Sequence, residues 1–140
     1  MLRTATRPLR IGTAEVYRSL LGVPEVEDSL IVNLDLPGGT FFMPLFVKLK
    51  GDQKLDADIE SRIRTQIRNE YSPRHVPDRI IQVAAIPYTL TGKKMEVPVR
   101  RILMGVPVEK AANRAAMANV ESLDFFIDYA RTQSDYRLVS

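Results

Sequence analysis

Apolar residues recur at every fourth position in the middle of the chain, and this pattern constrains the fold most. The positions are Leu55, Ile59, Ile63, Ile67 and Tyr71. Side chains four residues apart are neighbours on an α-helix, so these residues form one apolar face while the arginines among them lie off it. We predict a helix over 56–71 that must pack its apolar face against a second layer of structure.

Segments with strand-like composition can supply that second layer. Residues 29–36 and 41–50 are rich in apolar and β-branched residues, and the Pro-Gly-Gly-Thr sequence at 37–40 is a turn signal, so together they predict a β-hairpin. The apolar segment 79–86 predicts a further strand. The loop that precedes it contains two prolines and cannot be a helix interior. The predicted fold class is α+β, with a small, mainly antiparallel sheet flanked by helices.

Further helices are expected on either side of this region. Thr13 can cap a helix that runs to Leu21, where glycine and proline follow. A short helix is predicted over 97–103, because proline is tolerated in a first helical turn. The alanine-rich segment 109–118 and the amphipathic segment 121–130 also favour helix. This tail could pack on the domain or on another one.

Composition limits the classes of function. The chain has 140 residues, the size of one domain, with no cysteine and a single histidine, His75. Disulfides, thiolate catalysis and cysteine-based zinc sites are therefore excluded, and no metal site is expected. No apolar run approaches the ~20 residues of a membrane helix, and no signal segment follows the basic N-terminus. We expect a soluble, cytoplasmic protein.

The loop between the predicted strand at 79–86 and the short helix holds the best candidate for chemistry. Lys93 follows Gly92 in a segment that carries several hydroxyl groups. A phosphate-binding P-loop is excluded, because Pro87 stands where that motif needs glycine and Lys94 stands where it needs Ser or Thr. The residues alone support an exposed loop that presents Lys93 as a mobile cation. A solvated surface charge is the alternative interpretation.

Three segments in order resemble the adenylate-forming superfamily of acyl-CoA synthetases, luciferases and peptide-synthetase adenylation domains. They are Arg-Ile-Gly-Thr-Ala-Glu at 10–15, Ser-Pro-Arg-His-Val-Pro-Asp at 72–78 and Thr-Leu-Thr-Gly-Lys-Lys-Met-Glu-Val-Pro-Val at 89–99. Their variants resemble the acetoacetyl-CoA synthetase branch more than the acetyl-CoA synthetase branch. The segment Asn-Val-Glu-Ser-Leu at 119–123 resembles the C-terminal extension of that branch.

The resemblance implies a domain organisation and a function. Residues 10–106 would be the mobile C-terminal domain of an acetoacetate–CoA ligase, 107–140 a helical C-terminal extension, and 1–9 a disordered segment or a truncated hinge. In this family the domain supplies a lysine for acyl-adenylate formation and part of the CoA-binding surface for thioester formation.

The resemblance also implies roles for single residues. Lys93 would be the catalytic lysine of the adenylation step, with Thr91 and Gly92 supporting its loop. Arg10 would lie near the nucleotide and Arg68 would bind a phosphate of CoA. A solvated helix surface is an equal interpretation of Arg68.

Two other residues are expected to have structural roles. His75, between prolines, is expected to make a structural hydrogen bond, since the sequence offers it no partner base or ligand. Glu15 is expected to stabilise the first turn of its helix, where negative charge suits the helix dipole.

Partners follow from the same resemblance. ATP and CoA would be substrates of the full enzyme, and the large N-terminal adenylation domain, which these residues do not contain, would bind Mg²⁺ and choose the acid. The isolated chain is therefore expected to be inactive. One alternative is a stand-alone CoA- or nucleotide-binding or regulatory module derived from such a ligase. Nucleic-acid binding through the arginines is disfavoured, because no aromatic residues alternate with them.

Overall fold

The computed structural model describes residues 3–4, 12–132 and 135–138. The strands are β1 (Arg3–Thr4), β2 (Val26–Ile31), β3 (Leu34–Leu36), β4 (Thr40–Phe42), β5 (Pro44–Leu49) and β6 (Arg79–Gln82). The α-helices are α1 (Thr13–Leu20), α2 (Ala57–Glu70), α3 (Glu96–Leu103), α4 (Val108–Ala111) and α5 (Leu123–Thr132). Single turns of 3-10 helix lie at Pro37–Gly39, Pro73–His75, Arg114–Ala116 and Val120–Ser122. The α+β class predicted from the sequence is confirmed.

The strands form two small sheets, with orders β1-β4-β3 and β2-β5-β6. β5 pairs antiparallel with β2 and parallel with β6, because the connection from β5 to β6 contains α2 and crosses over the sheet. The other strand pairs are antiparallel, so the sheets are mainly antiparallel, as expected. Within the segment 1–9, the structure describes Arg3 and Thr4 alone, as strand β1 beside β4.

The predicted hairpin forms, but both of its strands are interrupted. β2 is separated from β3 at residues 32–33, and β4 from β5 at Met43. The backbone of Met43 bonds to Asp78 instead of a neighbouring strand: Asp78 Oδ2 accepts from the Met43 amide at 2.8 Å, and the Asp78 amide donates to the Met43 carbonyl at 2.9 Å. This contact explains why one long hairpin becomes two shorter ladders.

The β2-β5-β6 sheet buries both of its faces, because alternate side chains of a strand point to opposite sides. Ile31 and Leu45, which are cross-strand partners, pack with α1 and α2, including the predicted stripe at Ile63. Leu30 and Phe46, the next pair along, pack with α3 and α5. The helix predicted over 56–71 is confirmed as α2, and the Asp56 carboxylate caps it by accepting from the Ile59 amide at 2.8 Å.

Several predicted boundaries are wrong. Gly12, not Thr13, occupies the N-cap position of α1 and makes no side-chain cap, while the Thr13 hydroxyl donates to Glu96 at 3.3 Å. β6 ends at Gln82 instead of 86. The helix predicted over 109–118 reduces to the short helix α4 and the 3-10 turn Arg114–Ala116, because Ala112 takes an extended conformation and Met117 pairs with another loop.

The tail beyond residue 106 packs on the domain. Phe126 is fully buried, and its ring lies edge-on to that of Phe46 with centroids 4.8 Å apart. Tyr136 stacks on Phe42 at 5.6 Å, and its hydroxyl donates to the carbonyl of Leu103 at 2.8 Å. The tail thus contributes to the same hydrophobic cluster as the sheet.

Burial of Tyr136, with the Asp135 charge as a smaller cause, raises its pKa to about 12. A phenol with a raised folded-state pKa adds stability that is complete below the unfolded pKa, about 10, and is lost as the pH rises through the folded value. The Tyr136→Phe variant has no phenol and therefore lacks this pH-dependent contribution to stability. We expect the free-energy gap between the wild type and this variant to shrink above pH ~10 by about 1.4 kcal/mol per pH unit. Urea unfolding at several alkaline pH values measures the gap; a constant gap would contradict the prediction.

Candidate active-site loop

Residues 87–95 form a tight hairpin, called here the lysine hairpin. The Thr89 amide donates to the Lys93 carbonyl at 2.9 Å, and the Met95 amide donates to the Pro87 carbonyl at 3.1 Å. Tyr88 and Lys94 form an antiparallel bridge between these bonds. The two sides of the loop are therefore paired, and Lys93 lies at the start of the returning side.

Gly92 makes the turn of the hairpin. Its amide donates to the Thr89 carbonyl at 2.9 Å, and its φ angle of 84° lies in the left-handed region that favours glycine. The Thr89 hydroxyl accepts from the Lys93 amide at 3.1 Å and lies 3.0 Å from the Thr91 hydroxyl. The hydroxyl-bearing residues of the sequence pattern thus hold the turn through their side chains.

We expect Gly92→Ala to destabilise the chain by about 1–2 kcal/mol, the usual cost of a left-handed conformation for an L-residue. A Cβ at this position would meet no atom within 4 Å, so backbone strain alone causes the loss. Gly38→Ala is the matched control, because Gly38 has a φ of 79° and equally open surroundings. Both variants should lose similar stability in urea unfolding, while Gly92→Ala alone should accelerate amide hydrogen exchange at Lys93. Unchanged stability of both would contradict the prediction.

The two adjacent lysines have different environments. The Lys94 side chain is 22% exposed, and its Nζ lies 3.4 Å from Asp28 Oδ1 and 3.5 Å from the centroid of the Tyr17 ring. Lys93 is exposed, and its ammonium has no ion pair with any residue that the structure describes. Lys94 therefore anchors the lysine hairpin, and Lys93 is the cation available to a ligand.

Hydrogen bonds behind the hairpin tie it to α1 and β2. The Tyr88 hydroxyl donates to Asp28 Oδ2 at 2.6 Å, while the Tyr17 hydroxyl donates to Glu96 Oε2 and accepts from the Ile31 amide at 3.1 Å. Burial raises the pKa of Tyr17, and its hydrogen bond to Glu96 raises that pKa further. Burial and the bond to Asp28 likewise raise the pKa of Tyr88. Both phenols stay protonated at neutral pH and keep their donor roles.

Arg68 lies on a different element from Lys93. It is exposed in the last turn of α2, on a shallow groove that the apolar stripe does not reach. This groove is lined by Ala57, Glu60, Ser61, Arg64, Thr65 and Arg68. Arg64 Nη1 bonds to Glu60 Oε1 at 3.1 Å, and Arg62 Nη1 bonds to Glu25 Oε1 at 2.9 Å. Arg68 has no such carboxylate partner among residues 12–132 and 135–138, so its guanidinium is open to an anion. Arg10 lies outside the described residues.

His75 has two side-chain partners. Its Nδ1 lies 2.7 Å from the Ser72 hydroxyl, and its Nε2 lies 3.0 Å from Glu15 Oε1. The structural hydrogen bond predicted for His75 is confirmed, while the expectation that it has no partner base is wrong, because Glu15 lies 60 positions earlier in the chain. Glu15 therefore joins the proline-rich loop to α1, besides lying in the first turn of that helix.

Neither a membrane span nor a metal cluster occurs in the part of the chain that the structure describes. No described helix is long and apolar enough to cross a membrane. Likewise, the described residues contain no group of three or more His, Cys, Asp or Glu side chains that could hold a metal ion.

Comparisons with known proteins identify relatives that match most of the chain. No family model matches the chain. The chain is 42% identical over 122 residues to acetoacetyl-CoA synthetase from Caenorhabditis elegans and 39% identical over 125 residues to that from Mus musculus. These matches cover 86% and 89% of this chain but 17% and 18% of the relatives.

Solved structures give the same result. Acetoacetyl-CoA synthetase from Streptomyces lividans matches with a TM-score of 0.83 and 42% identity, covering 90% of this chain and 19% of that one. An acyl-CoA synthetase from Brucella canis matches with a TM-score of 0.55 and 27% identity, covering 61% of this chain and 16% of that one.

The fold and these relatives show that the chain is homologous to the C-terminal region of adenylate-forming acyl-CoA synthetases. Within that class, its relatives with 37% to 42% identity include several acetoacetyl-CoA synthetases. The chain spans about 18% of the length of these relatives.

Sequence reasoning missed the residues that hold the lysine hairpin in place. Asp28 lies 60 positions from Tyr88, and Tyr17 lies 79 positions from Glu96. Asn119, which bonds to the hairpin backbone, lies 31 positions from Tyr88. No local pattern signals such contacts, although the segment that begins at Asn119 was part of the resemblance.

Proposed function

We propose that this chain is the mobile C-terminal domain of an acetoacetate–CoA ligase. It supplies Lys93 to acyl-adenylate formation and part of the CoA-binding surface to thioester formation. The observation that carries the proposal is that Lys93 is exposed and has no ion-pair partner among the described residues. The neighbouring Lys94, in contrast, is held by Asp28 and by the face of the Tyr17 ring. Relatives named acetoacetyl-CoA synthetase support the choice of acid.

Lys93 acts in the first half-reaction. A carboxylate oxygen of the acid attacks the α-phosphorus of ATP, the bond to the bridging oxygen breaks, and pyrophosphate leaves with its electron pair. Negative charge gathers on the oxygens between the acid and the α-phosphate. The ammonium of Lys93 stabilises that charge as a compact cation brought into a site from which water is excluded. The products are acyl-AMP and pyrophosphate.

Arg68 acts in the second half-reaction. The CoA sulfur, after losing its proton, attacks the carbonyl carbon of acyl-AMP, and AMP leaves to give the thioester. Rotation of the domain takes Lys93 away and brings a second surface to the large domain. Arg68, open to an anion on α2, binds a phosphate of CoA through its planar donor fork. Arg10 would lie near the nucleotide.

The large domain completes the enzyme. The chain spans about 18% of its relatives, so the acyl pocket and the nucleotide pocket are assigned to the remainder of such a ligase. Mg²⁺ is assigned to that domain too, as the resemblance to adenylate-forming ligases implies. Alone, the chain is not expected to form a thioester.

A chimera tests the proposal. The chain replaces the matching region of Streptomyces lividans acetoacetyl-CoA synthetase, to which it is 42% identical. Acetoacetyl-CoA formation from ATP, CoA and acetoacetate is expected from the chimera and not from either part alone. A folded but inactive chimera, or an active isolated chain, would contradict the proposal.

The same chimera measures the role of Arg68. Arg68→Ala removes a charge-assisted hydrogen bond to phosphate, so we expect the KM for CoA to rise about tenfold or more. The rate of acyl-adenylate formation should stay unchanged. Arg64→Ala is the control, because the Arg64 guanidinium already bonds to Glu60. Equal KM values for the two variants would remove Arg68 from the CoA-binding surface.

A further inference from the structure

The lysine hairpin has a third strand, and the tail provides it. The Leu90 amide donates to the Ala116 carbonyl at 2.8 Å, and the Ala118 amide donates to the Tyr88 carbonyl at 3.0 Å. Thr89 and Met117 form an antiparallel bridge between these bonds. Residues 116–118, called here the tail strand, therefore pair with the side of the hairpin that the Lys93–Met95 side leaves free.

Asn119 extends this pairing with its side chain. Its Oδ1 accepts from the Tyr88 amide at 3.1 Å, and its Nδ2 donates to the Ile86 carbonyl at 2.9 Å. The carboxamide of Asn119 thus takes the place of a peptide group in a neighbouring strand, because its oxygen accepts from one backbone amide and its nitrogen donates to one backbone carbonyl. The Asn119 side chain does not cap the 3-10 turn that follows, so its hydrogen bonds serve the hairpin alone.

The tail strand is itself fixed to the core, through its middle residue and through the residues that follow it. Met117 is 6% exposed and belongs to the cluster that contains Phe46. After Asn119, the Ser122 hydroxyl donates to the Asn119 carbonyl at 2.6 Å, and Leu123 begins α5 in the same cluster. The position of the hairpin is therefore tied to the core through the tail.

We propose that Asn119, together with the tail strand, is a positioning residue for Lys93. It touches neither substrate nor the lysine side chain. It fixes the hairpin backbone so that the Lys93 ammonium reaches the developing charge in one geometry. The inference rests on the proposed role of Lys93 in acyl-adenylate formation.

The energetic reason is that loss of Asn119 frees the start of the hairpin. Without the carboxamide, the Tyr88 amide and the Ile86 carbonyl must turn to water, and the Tyr88–Leu90 edge loses its continuation into the tail. One hydrogen bond makes a modest net contribution to stability. The loss of two is therefore expected to shift the equilibrium between the closed and the open hairpin by roughly tenfold to a hundredfold. Misplacement of a catalytic group by about 1 Å can lower a rate by ~10²-fold.

The first measurement uses the 140-residue chain and does not depend on catalysis. Amide hydrogen exchange is followed by NMR in the wild type, in Asn119→Ala and in Asn69→Ala. Asn69 is the matched control, since it is exposed near the end of α2. We expect Asn119→Ala to raise exchange roughly tenfold or more at Gly92 and Lys93, which Asn119 does not contact, and to leave β5 unchanged. Exchange equal to the wild type at both amides would overturn the inference.

The second measurement uses the chimeric ligase and separates the half-reactions. Adenylation is followed by ATP–pyrophosphate exchange, and thioester formation by adding acetoacetyl-AMP and CoA. Asn119→Ala should lower the kcat of adenylation roughly 10–100-fold and leave the KM for ATP and the thioester step unchanged. Asn119→Asp keeps an acceptor for the Tyr88 amide but loses the donor to Ile86, so an intermediate rate is expected.

Lys93→Ala separates this inference from the proposed function. If Lys93→Ala adenylates as fast as the wild type, the proposed function itself is wrong. If Lys93→Ala is slow but Asn119→Ala adenylates normally, or slows both half-reactions equally, Asn119 is not a positioning residue, whatever its hydrogen exchange.

Discussion

Acyl-adenylate formation by the chimeric ligase is expected to slow roughly 10²–10³-fold when Lys93 is replaced by alanine, the usual effect of removing one preorganised charge or donor from a reaction centre. In the proposed mechanism the ammonium acts on charge that develops in the transition state, so kcat should fall more than the affinity for ATP. ATP–pyrophosphate exchange measures this step. The thioester step, started from acetoacetyl-AMP, should keep its rate, because the proposed rotation moves Lys93 away before that step.

Lys94→Ala is the matched control for this result. Lys94 is next in the chain but is held by Asp28 and by the face of the Tyr17 ring. Its loss should lower the free energy of unfolding by about 1 kcal/mol or less, as for other ion pairs near a surface. Adenylation should fall much less than in Lys93→Ala. If both variants slow adenylation equally, the distinction between an available lysine and an anchoring lysine is wrong.

Phe126→Ala is expected to lower the free energy of unfolding by about 3–5 kcal/mol, the usual cost of removing a buried aromatic side chain. Phe126 is 0% exposed and packs on Phe46 at the centre of the sheet. Urea unfolding followed by circular dichroism measures the change. A large loss would mean that the tail and the sheet unfold as one unit.

The neighbouring Phe125 is the control. It is 37% exposed, so the same substitution removes less buried surface and leaves a smaller cavity. We expect Phe125→Ala to lose clearly less stability than Phe126→Ala. Equal losses would contradict the difference in burial between the two rings, and no loss in either variant would mean that α5 does not pack on the domain in solution.

The sequence patterns predicted those elements whose stabilising contacts lie within one short segment. The stripe from Leu55 to Tyr71 specified α2, because neighbours four residues apart and the cap at Asp56 lie within one segment. The turn at 37–40 was predicted for the same reason. The interruption of the hairpin at Met43 could not be predicted from the sequence, because it depends on a contact with Asp78, 35 positions later.

The alanine-rich segment 109–118 shows how tertiary pairing overrides helix propensity. Its composition favours a helix, yet residues 116–118 pair with the lysine hairpin, where the Ala116 carbonyl and the Ala118 amide form backbone hydrogen bonds. The pairing partner, Tyr88 to Leu90, is far away in sequence. A preference of a few tenths of a kcal/mol per residue cannot compete with such bonds and with the burial of Met117.

The candidate site was predicted unevenly for the same reason. Gly92 and Lys93 are adjacent, so a turn that presents a lysine was visible in the sequence, and the resemblance gave it a role. Asp28, Tyr17 and Asn119 lie on other elements, and single positions of ordinary composition carry no sign of their contacts.

The order in which a ribosome releases these residues gives the tail strand a further consequence. The sheet and the lysine hairpin are synthesised first, and the strand that completes the hairpin emerges after them. Domains generally fold as units during synthesis, yet this one cannot finish its lysine-bearing edge until Asn119 and α5 have left the exit tunnel. A nascent chain that stalls shortly before that point would carry the lysine on an incompletely supported loop.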